Sequence, residues 1–473
     1  MTDRQLVAGV DTSTQSCKVV VCDGSTGEVV RIGRAAHPDG TEVEPRHWWS
    51  AWLEATSGGL LDGVSALAVG GQQHGMVLLD DADEVVRPAL LWNDTRSADA
   101  ASDLVAELGA QAWADATGVV PVAATTVSKL RWVARHEPEH LARARTCVLP
   151  HDWLTGQVLA ADGGRREGWT TDAGDASGTG YWSAGTRDYR LDLLRHATDG
   201  ADLAVPRVAA PTEVVGHTAS GIAVAPGTGD NMGAALGLGL GAGDVVVSLG
   251  TSGTAFARHD RAAADPTGAV QSFADAEGGF LPLVCTLNAA RVLSAGAAVL
   301  GTDLAGLDRL ALAAQPGAGG LTLLPYLDGE RTPNLPTATG SLHGLTRTNA
   351  TPENLARAVV EGMLLDLADA VERVRAIGCP VQRVLLIGGA SASQAVQDLA
   401  PDLLGAPVAI PAPGEYVAVG AARQAAWALA GDDRPPAWDV DVDVTVEPEN
   451  PAAGAEVRER YAAVLAATHP TAR

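Results

Sequence analysis

Apolar runs that break abruptly into small polar turns recur along this chain. Leu6-Val-Ala-Gly-Val10 is one such run; it breaks at Asp11-Thr-Ser-Thr-Gln15 and resumes as Lys18-Val-Val-Val-Cys22. Runs of this composition bounded by turn residues predict two strands, and the short connection predicts a hairpin. The plan recurs about 240 residues later as Asp244-Val-Val-Val-Ser-Leu249, the turn Gly250-Thr-Ser-Gly253 and Thr254-Ala-Phe-Ala257. The repeat predicts a duplicated α/β organisation with one domain over 1–243 and another over 244–473. The glycine-rich run Gly237-Leu-Gly-Leu-Gly-Ala-Gly243 suits a hinge between them.

A long helix is predicted after Thr351, which suits the N-cap, with Pro352 at the first helical position. Leu355, Val359, Met363, Leu367, Val371 and Val374 recur at helical spacing, and Gly378 and Pro380 end the pattern. The buried-type strand Arg383–Ile387 follows and breaks into Gly388-Gly-Ala-Ser391. Helix, strand, glycine turn and helix make an α/β crossover, and ligands of open α/β sheets sit at the carboxyl ends of such strands. Glu415 begins another helix, placed where an acid favours the helix N-terminus. Trp48, Trp49 and Trp52 read as the buried face of a helix, and Lys18 as a solvated strand residue.

Of 473 residues, 46% are hydrophobic and 19% charged, enough apolar surface for two or three packed cores and too much for a disordered chain. The formal net charge of −24 argues against nucleic acid or an anionic membrane as a partner. Lysine occurs only at 18 and 129. The five cysteines (Cys17, Cys22, Cys147, Cys285, Cys379) lack the paired spacing of a zinc site, and their odd number fits a reduced compartment. Met1-Thr-Asp-Arg4 carries no leader pattern, and no apolar stretch reaches the roughly 18–20 residues of a membrane span. A cytoplasmic protein is expected.

The two hydroxyl- and glycine-rich turns suit phosphate, since backbone N–H groups and hydroxyls form a fixed cradle that needs no lysine. Taken singly, each reads sooner as a plain tight hairpin; the pair, with the third turn at Gly388-Gly389, favours phosphate. No Gly-Lys-Ser/Thr sequence is present, so the chain is not a P-loop protein. Asp11, at the end of the first strand, fits a phosphate site only through Mg²⁺, which takes one or two carboxylates and keeps several waters. Gly227-Thr-Gly-Asp-Asn231 places an acid, Asp230, where glycines let backbone approach a ligand, although such a turn also occurs for its own hydrogen bonding. His74, after the strand-like run 66–71, is either a ligand-facing loop histidine or a satisfied core one.

These segments together resemble the FGGY carbohydrate kinases of the actin, Hsp70 and hexokinase superfamily. Val10-Asp-Thr-Ser-Thr14 and Ser248-Leu-Gly-Thr-Ser-Gly253 match the family's phosphate motifs. Gly70-Gly-Gln-Gln-His-Gly75 and Leu91-Trp-Asn-Asp-Thr-Arg96 match the sugar-side segments, and Gly227-Thr-Gly-Asp-Asn231 the base loop. Leu324-Pro-Tyr-Leu-Asp-Gly-Glu-Arg-Thr-Pro333 and Leu386-Ile-Gly-Gly-Ala390 match motifs of the C-terminal domain. The resemblance spans essentially the whole chain, in order. Ser13 and Ala390 stand where the family usually has glycine, and a side chain at Ser13 requires a negative φ.

The resemblance implies two actin-like (ribonuclease H-like) ATPase domains with a cleft between them. It implies ATP-dependent phosphorylation of a sugar, with D-xylulose favoured by the sugar-side segments and ribulose, glycerol or gluconate as alternatives. Asp230 would be the general base, and Gln73, His74, Trp92, Asn93, Asp94, Asp230 and Asn231 would hold the sugar. Thr12, Ser13, Thr14, Gln15, Gly250, Thr251, Ser252, Gly253, Gly388, Gly389, Ala390 and Ser393 would bind ATP. Asp11 and Asp230 would serve Mg²⁺. A homodimer is compatible with this reading. A nucleotide-driven switch of the actin or Hsp70 kind would share the hairpins but would not need Gly-Asp-Asn beside a His-Gly loop. A zinc-bearing repressor relative would need a Cys/His cluster, which is missing.

Overall fold

The computed structural model describes residues 5–470, so the opening Met1-Thr-Asp-Arg4 lies outside the described residues. The chain folds into two units. The first takes the chain up to Leu240 together with His259–Leu281 and Gly414–Asp439; the second takes Gly241–Arg258, Pro282–Pro413 and the chain from Val440 on.

In the first unit the strands are β1 (Leu6–Thr12), β2 (Ser16–Asp23), β3 (Val29–Ala36), β4 (Val64–Gly71), β5 (Gly216–His217), β6 (Ala223–Val224) and β7 (Thr228–Gly229). They form one mixed sheet in the order β5-β6-β4-β1-β2-β3, with β7 also paired to β4. β1 runs antiparallel to β2 and parallel to β4, and β4 runs parallel to β6. The central strands are apolar on both faces because both faces are covered. Val10, Val19, Val21, Leu67 and Val69 pack with Trp48 and Trp52 of the helix Arg46–Ala55. Val7, Val20, Ala66 and Ala68 point the other way, onto Ala418, Ala421, Ala422 and Ala425 of the helix Tyr416–Ala430.

That second helix lies close to its neighbours because it is built of small residues. A β-carbon on Gly420 would stand 1.8 Å from the Gly233 carbonyl oxygen of the helix Asp230–Gly237. The crossing seats the 230–237 helix, while the β7–β4 pairing (Thr228 opposite Gly70, Gly229 opposite Gly71) sets its first residue beside the carboxyl end of β4.

The second unit repeats the plan with β8 (Asp244–Leu249), β9 (Gly253–Ala257), β10 (Phe280–Thr286), β11 (Arg383–Ile387), β12 (Val408–Pro411) and β13 (Val442–Val446), in the order β10-β9-β8-β11-β12-β13. Its pairing senses match: β8 is antiparallel to β9 and parallel to β11, β11 is parallel to β12, and β12 is antiparallel to β13. The duplication visible in the sequence is therefore a duplication of sheet topology. The long helix spans Pro352–Ala376, with the Thr351 hydroxyl accepting from the Asn354 N–H at 3.3 Å. Among the described residues no single helix is long and apolar enough to cross a membrane, and all five cysteines are free.

Candidate active site

In the first unit the loop Gly227–Gly229 delivers Asp230 as the first residue of its helix. Gly227 holds a left-handed φ of +93°. Both of its backbone polar groups are taken by the buried Gln424: its N–H donates to Oε1 at 3.0 Å, and its carbonyl accepts from Nε2 at 2.8 Å. Asn231 donates to Asp230 Oδ1 through its backbone N–H (2.7 Å) and through Nδ2 (2.8 Å). The same Nδ2 lies 3.4 Å from Gln73 Oε1, and Gln73 Nε2 donates to the Gly174 carbonyl at 3.3 Å. Gln73 thus forms one hydrogen-bonded run with Asn231 and Asp230, which lie far from it in sequence. Asp230 Oδ2 makes no hydrogen bond among the described residues.

Burial pushes the Asp230 carboxyl up to about 7, and the charge of Asp11 adds to the shift. Asp11 is itself pushed up to about 6 by burial, against the pull of Lys18. Lys18 is not the solvated residue expected: its ammonium lies 3.3 Å from Asp11 Oδ2 and 2.8 Å from Glu415 Oε2, and Glu415 also pairs with Arg34. The helix beginning at Tyr416 brings Glu415 against β2, a placement that local sequence does not contain. Asp11 Oδ1 is buried without a hydrogen-bond partner. Two neighbouring carboxyls that resist ionising alone, one with a free buried oxygen, fit a divalent cation.

The sugar-side segments of the sequence sit in this same unit. His74 is buried at a φ of +65°, and its Nδ1 is 2.7 Å from the Gly178 carbonyl oxygen. Its own carbonyl accepts from Thr126 Oγ1 at 3.2 Å and from Lys129 Nζ at 3.1 Å. Lys129, the other lysine, is fully buried and also donates to the Ala124 carbonyl. Trp92 is half-buried and donates from Nε1 to Thr14 Oγ1 at 2.8 Å, joining a sugar-side residue to the first hairpin. Asn93 Oδ1 is buried without a partner. Asp94 is fully engaged: Thr41 Oγ1 donates to it at 2.7 Å and Arg96 Nε at 2.9 Å. Burial would raise its carboxyl, but these hydrogen bonds outweigh it and hold the group below the ordinary range.

In the first hairpin, Ser13 is not among the residues at positive φ, so its side chain is accommodated; its N–H and Oγ both donate to the Ser16 carbonyl at 3.0 Å. Gln15 accepts at its carbonyl from the His37 N–H at 2.8 Å, and Thr12 is buried. In the second unit the Gly250 and Thr251 carbonyls accept from the N–H groups of Ala290 (2.9 Å) and Ala289 (3.3 Å), leaving the turn tied to the following helix. Thr251 is exposed and Ser252 half-buried, with Gly253 opening β9. After β11, the space beside Gly389 is open and Ala390 is buried. Ser393 caps the helix Gln394–Leu404 by accepting from the Val396 N–H at 3.2 Å, and donates to Asp308 Oδ1 at 2.6 Å.

A buried group beneath the base loop escaped the sequence reading. His151 has no exposure; its Nδ1 lies 2.6 Å from Asp175 Oδ2, and its Nε2 3.3 Å from Asp152 Oδ1 and 3.7 Å from Asp172 Oδ1. Burial alone would lower the imidazole, but Asp152, Asp175 and Asp172 push it up to about 10. The imidazolium is the cation of a cluster of acids. Thr-Asp-Ala-Gly-Asp over 171–175 looks like any polar turn, and nothing local in it points to His151.

The FGGY family of carbohydrate kinases matches this chain twice, its N-terminal domain over residues 6–249 and its C-terminal domain over 245–429. A xylulose kinase of Streptomyces coelicolor is 49% identical over 445 residues, 90% of this chain and 89% of that protein. The crystal structure of xylulose kinase from Bifidobacterium adolescentis superposes with a TM-score of 0.90 at 46% identity, covering 98% of this chain and 99% of that one. A Plasmodium falciparum glycerol kinase with ADP shares the fold at a TM-score of 0.86, with 16% identity over 98% of each chain. With both domain families matched end to end and a relative near half identity along nine-tenths of the chain, this protein belongs to the FGGY family of carbohydrate kinases.

Proposed function

We propose that this protein transfers the γ-phosphoryl group of ATP to the primary hydroxyl of D-xylulose, giving D-xylulose 5-phosphate and ADP. The observation that carries the reading is the run Gln73–Asn231–Asp230, with Asp230 Oδ1 held by both donors of Asn231 and Oδ2 unclaimed. Oδ2 is the oxygen assigned to the hydroxyl proton. As the sugar oxygen bonds to the γ-phosphorus, the bond to the bridging oxygen of ADP breaks and the proton passes to Oδ2. A carboxyl already raised to about 7 is well matched to that exchange near neutral pH.

Gln73, His74 and Asn231 would read the sugar hydroxyls, with Trp92, Asn93 and Asp94 walling the same side. Thr12 to Gln15 in the first unit, and Gly250 to Gly253 with Gly388, Gly389, Ala390 and Ser393 in the second, would take the nucleotide. Asp11 and Asp230 would hold Mg²⁺, which supplies charge neutralisation for the transferring phosphoryl group when bound. The substrate name is supported by the relatives, which are xylulose kinases along most of their length. Free cysteines support work in the reducing cytoplasm.

The test is ADP release with a panel of pentuloses and polyols, using wild type and Asp230→Asn. D-xylulose should exceed D-ribulose, L-ribulose and glycerol in kcat/KM by at least roughly 10- to 100-fold, because each wrong stereocentre leaves buried polar groups unpaired. Asp230→Asn should lower kcat by roughly 10²–10⁴-fold with little change in ATP affinity. A tenth of wild-type turnover in that variant would remove Asp230 from the role. Faster turnover of ribulose or glycerol at low concentration would remove the substrate name.

A further inference from the structure

His151, held among its buried acids, lies directly against the two backbone segments that present Asp230. A β-carbon on Gly71, the last residue of β4, would stand 2.9 Å from His151 Cβ. A β-carbon on Gly227 would stand 2.6 Å from His151 Cδ2 and 3.1 Å from Nε2. The imidazole edge therefore packs against Gly227, the residue that leads into β7, while the Cβ at the root of the same side chain packs against Gly71 at the end of β4. The ring cannot turn away, because Asp175 binds Nδ1 at 2.6 Å while Asp152 faces Nε2 at 3.3 Å. Asp152 is fixed in turn by the Leu149 N–H at 2.8 Å. Asp172 accepts from the N–H groups of Gly174 (2.7 Å) and Asp175 (3.1 Å), which locks the short helix Ala173–Ser177. That helix also provides the Gly174 carbonyl that receives Gln73 Nε2. One rigid group thus touches both the base loop and the Gln73 end of the Asp230 run.

A metal ion is the alternative occupant of such a cluster, and His151, Asp152 and Asp175 do offer donor atoms within 4.8 Å of one another. The 2.6 Å separation of Nδ1 and Oδ2 decides against it. That distance is a charge-assisted hydrogen bond with a proton between the atoms, and no ion can take the proton's place without pushing them apart.

We propose that His151, oriented by Asp175, is a positioning residue that holds the Gly227–Asp230 loop from below and thereby fixes where the Asp230 carboxylate meets the sugar hydroxyl. Gln424 holds Gly227 by hydrogen bonds, and His151 holds it by contact, so the loop is fixed by two separate means. Misplacement of a reacting group by about 1 Å costs roughly 10²-fold in rate, so loss of the support is read in kcat.

The inference rests on Asp230 being the base, and the experiment is a cycle that separates the two. Wild type, His151→Asn, Asp230→Asn and the double variant are assayed for ADP release with D-xylulose and ATP. Asparagine keeps a donor for Asp175 at the Nδ1 position but removes the ring edge beneath Gly227. His151→Asn should lower kcat roughly 10- to 100-fold in the wild-type background, with the KM for ATP within about threefold. In the Asp230→Asn background the same substitution should change kcat by less than about threefold, because the group it positions is gone. Equal fold-changes in both backgrounds, as general destabilisation produces, would overturn the inference and leave the base intact. A kcat within about threefold of wild type for His151→Asn would also overturn it. If Asp230→Asn by itself keeps a tenth of the activity, the base assignment fails and takes the inference with it. Should His151→Asn not fold, Asp175→Asn enters the same cycle with the same expectations.

Discussion

Replacing Gly227 by alanine tests whether the base loop is as tightly fixed as its contacts indicate. At φ +93° an alanine carries backbone strain of about 1–3 kcal/mol. Its β-carbon would also lie 2.4 Å from the Val69 carbonyl oxygen and 2.6 Å from His151 Cδ2. Ordinary contact needs roughly 3.5 Å, so about 1 Å must be found. Val69 is in the middle of the sheet and His151 is held by Asp175, so the loop must move, against both Gln424 hydrogen bonds. Overpacking adds about 1–3 kcal/mol, for a total of about 2–6 kcal/mol. A displacement of about 1 Å at the base predicts a kcat roughly 10²-fold lower. Gly221→Ala is the control, since Gly221 has a φ of +87° with nothing within 4 Å of the added carbon. It carries the strain without the collision, and should lower Tm modestly while leaving kcat unchanged. Melting is followed by calorimetry and turnover by coupled ADP release at saturating D-xylulose and ATP. A folded Gly227→Ala protein with kcat within about threefold of wild type would refute the argument that this loop cannot yield.

Lys18→Met should destabilise the protein by about 2–4 kcal/mol, because Asp11 is left buried without its cation; partial water contact at Lys18 and Glu415 keeps the loss below that of a fully buried pair. An unchanged Tm would show that the pair contributes nothing. Asp366, a fully buried acid beside Glu330, is raised well above the ordinary value by burial and by that neighbouring carboxyl. Because the folded state keeps this proton longer than the unfolded chain, the group's stability is present at low pH and lost as pH rises, by up to about 1.4 kcal/mol per pH unit. Asp366→Asn removes that uptake, so its Tm relative to wild type should rise as the pH is raised above the ordinary carboxylate range; a constant difference would contradict the buried neutral acid. His74→Ala should narrow the kcat/KM gap between D-xylulose and its epimers without raising the KM for ATP, and an unchanged gap would remove His74 from sugar recognition.

What the sequence determined by itself is what nearest neighbours along the chain decide. Both hairpins follow from apolar runs meeting hydroxyl turns, and the cap at Thr351, the proline after it and the stop at Gly378 follow from rules that act within one turn of helix. The duplication was legible because the same local pattern is written twice. The grouping of Gln73 with Asn231 and Asp230 was legible through family motifs, although 158 residues separate Gln73 from Asn231. Tertiary structure alone decided the rest, because burial and charge pairing depend on which distant segments meet. Lys18 looks solvated in its own strand and becomes an ion-pair partner only when Glu415 arrives from the far end of the chain. Gln424 is one polar residue in an alanine-rich helix until folding sets it across the backbone of Gly227, 197 residues away. His151 and Asp175 are 24 residues apart in unremarked stretches, and only their joint exclusion from water turns them into a charged support beneath the base loop. A side chain's chemistry is written in its residue type, but its field, its partners and its freedom to move are set by the fold around it.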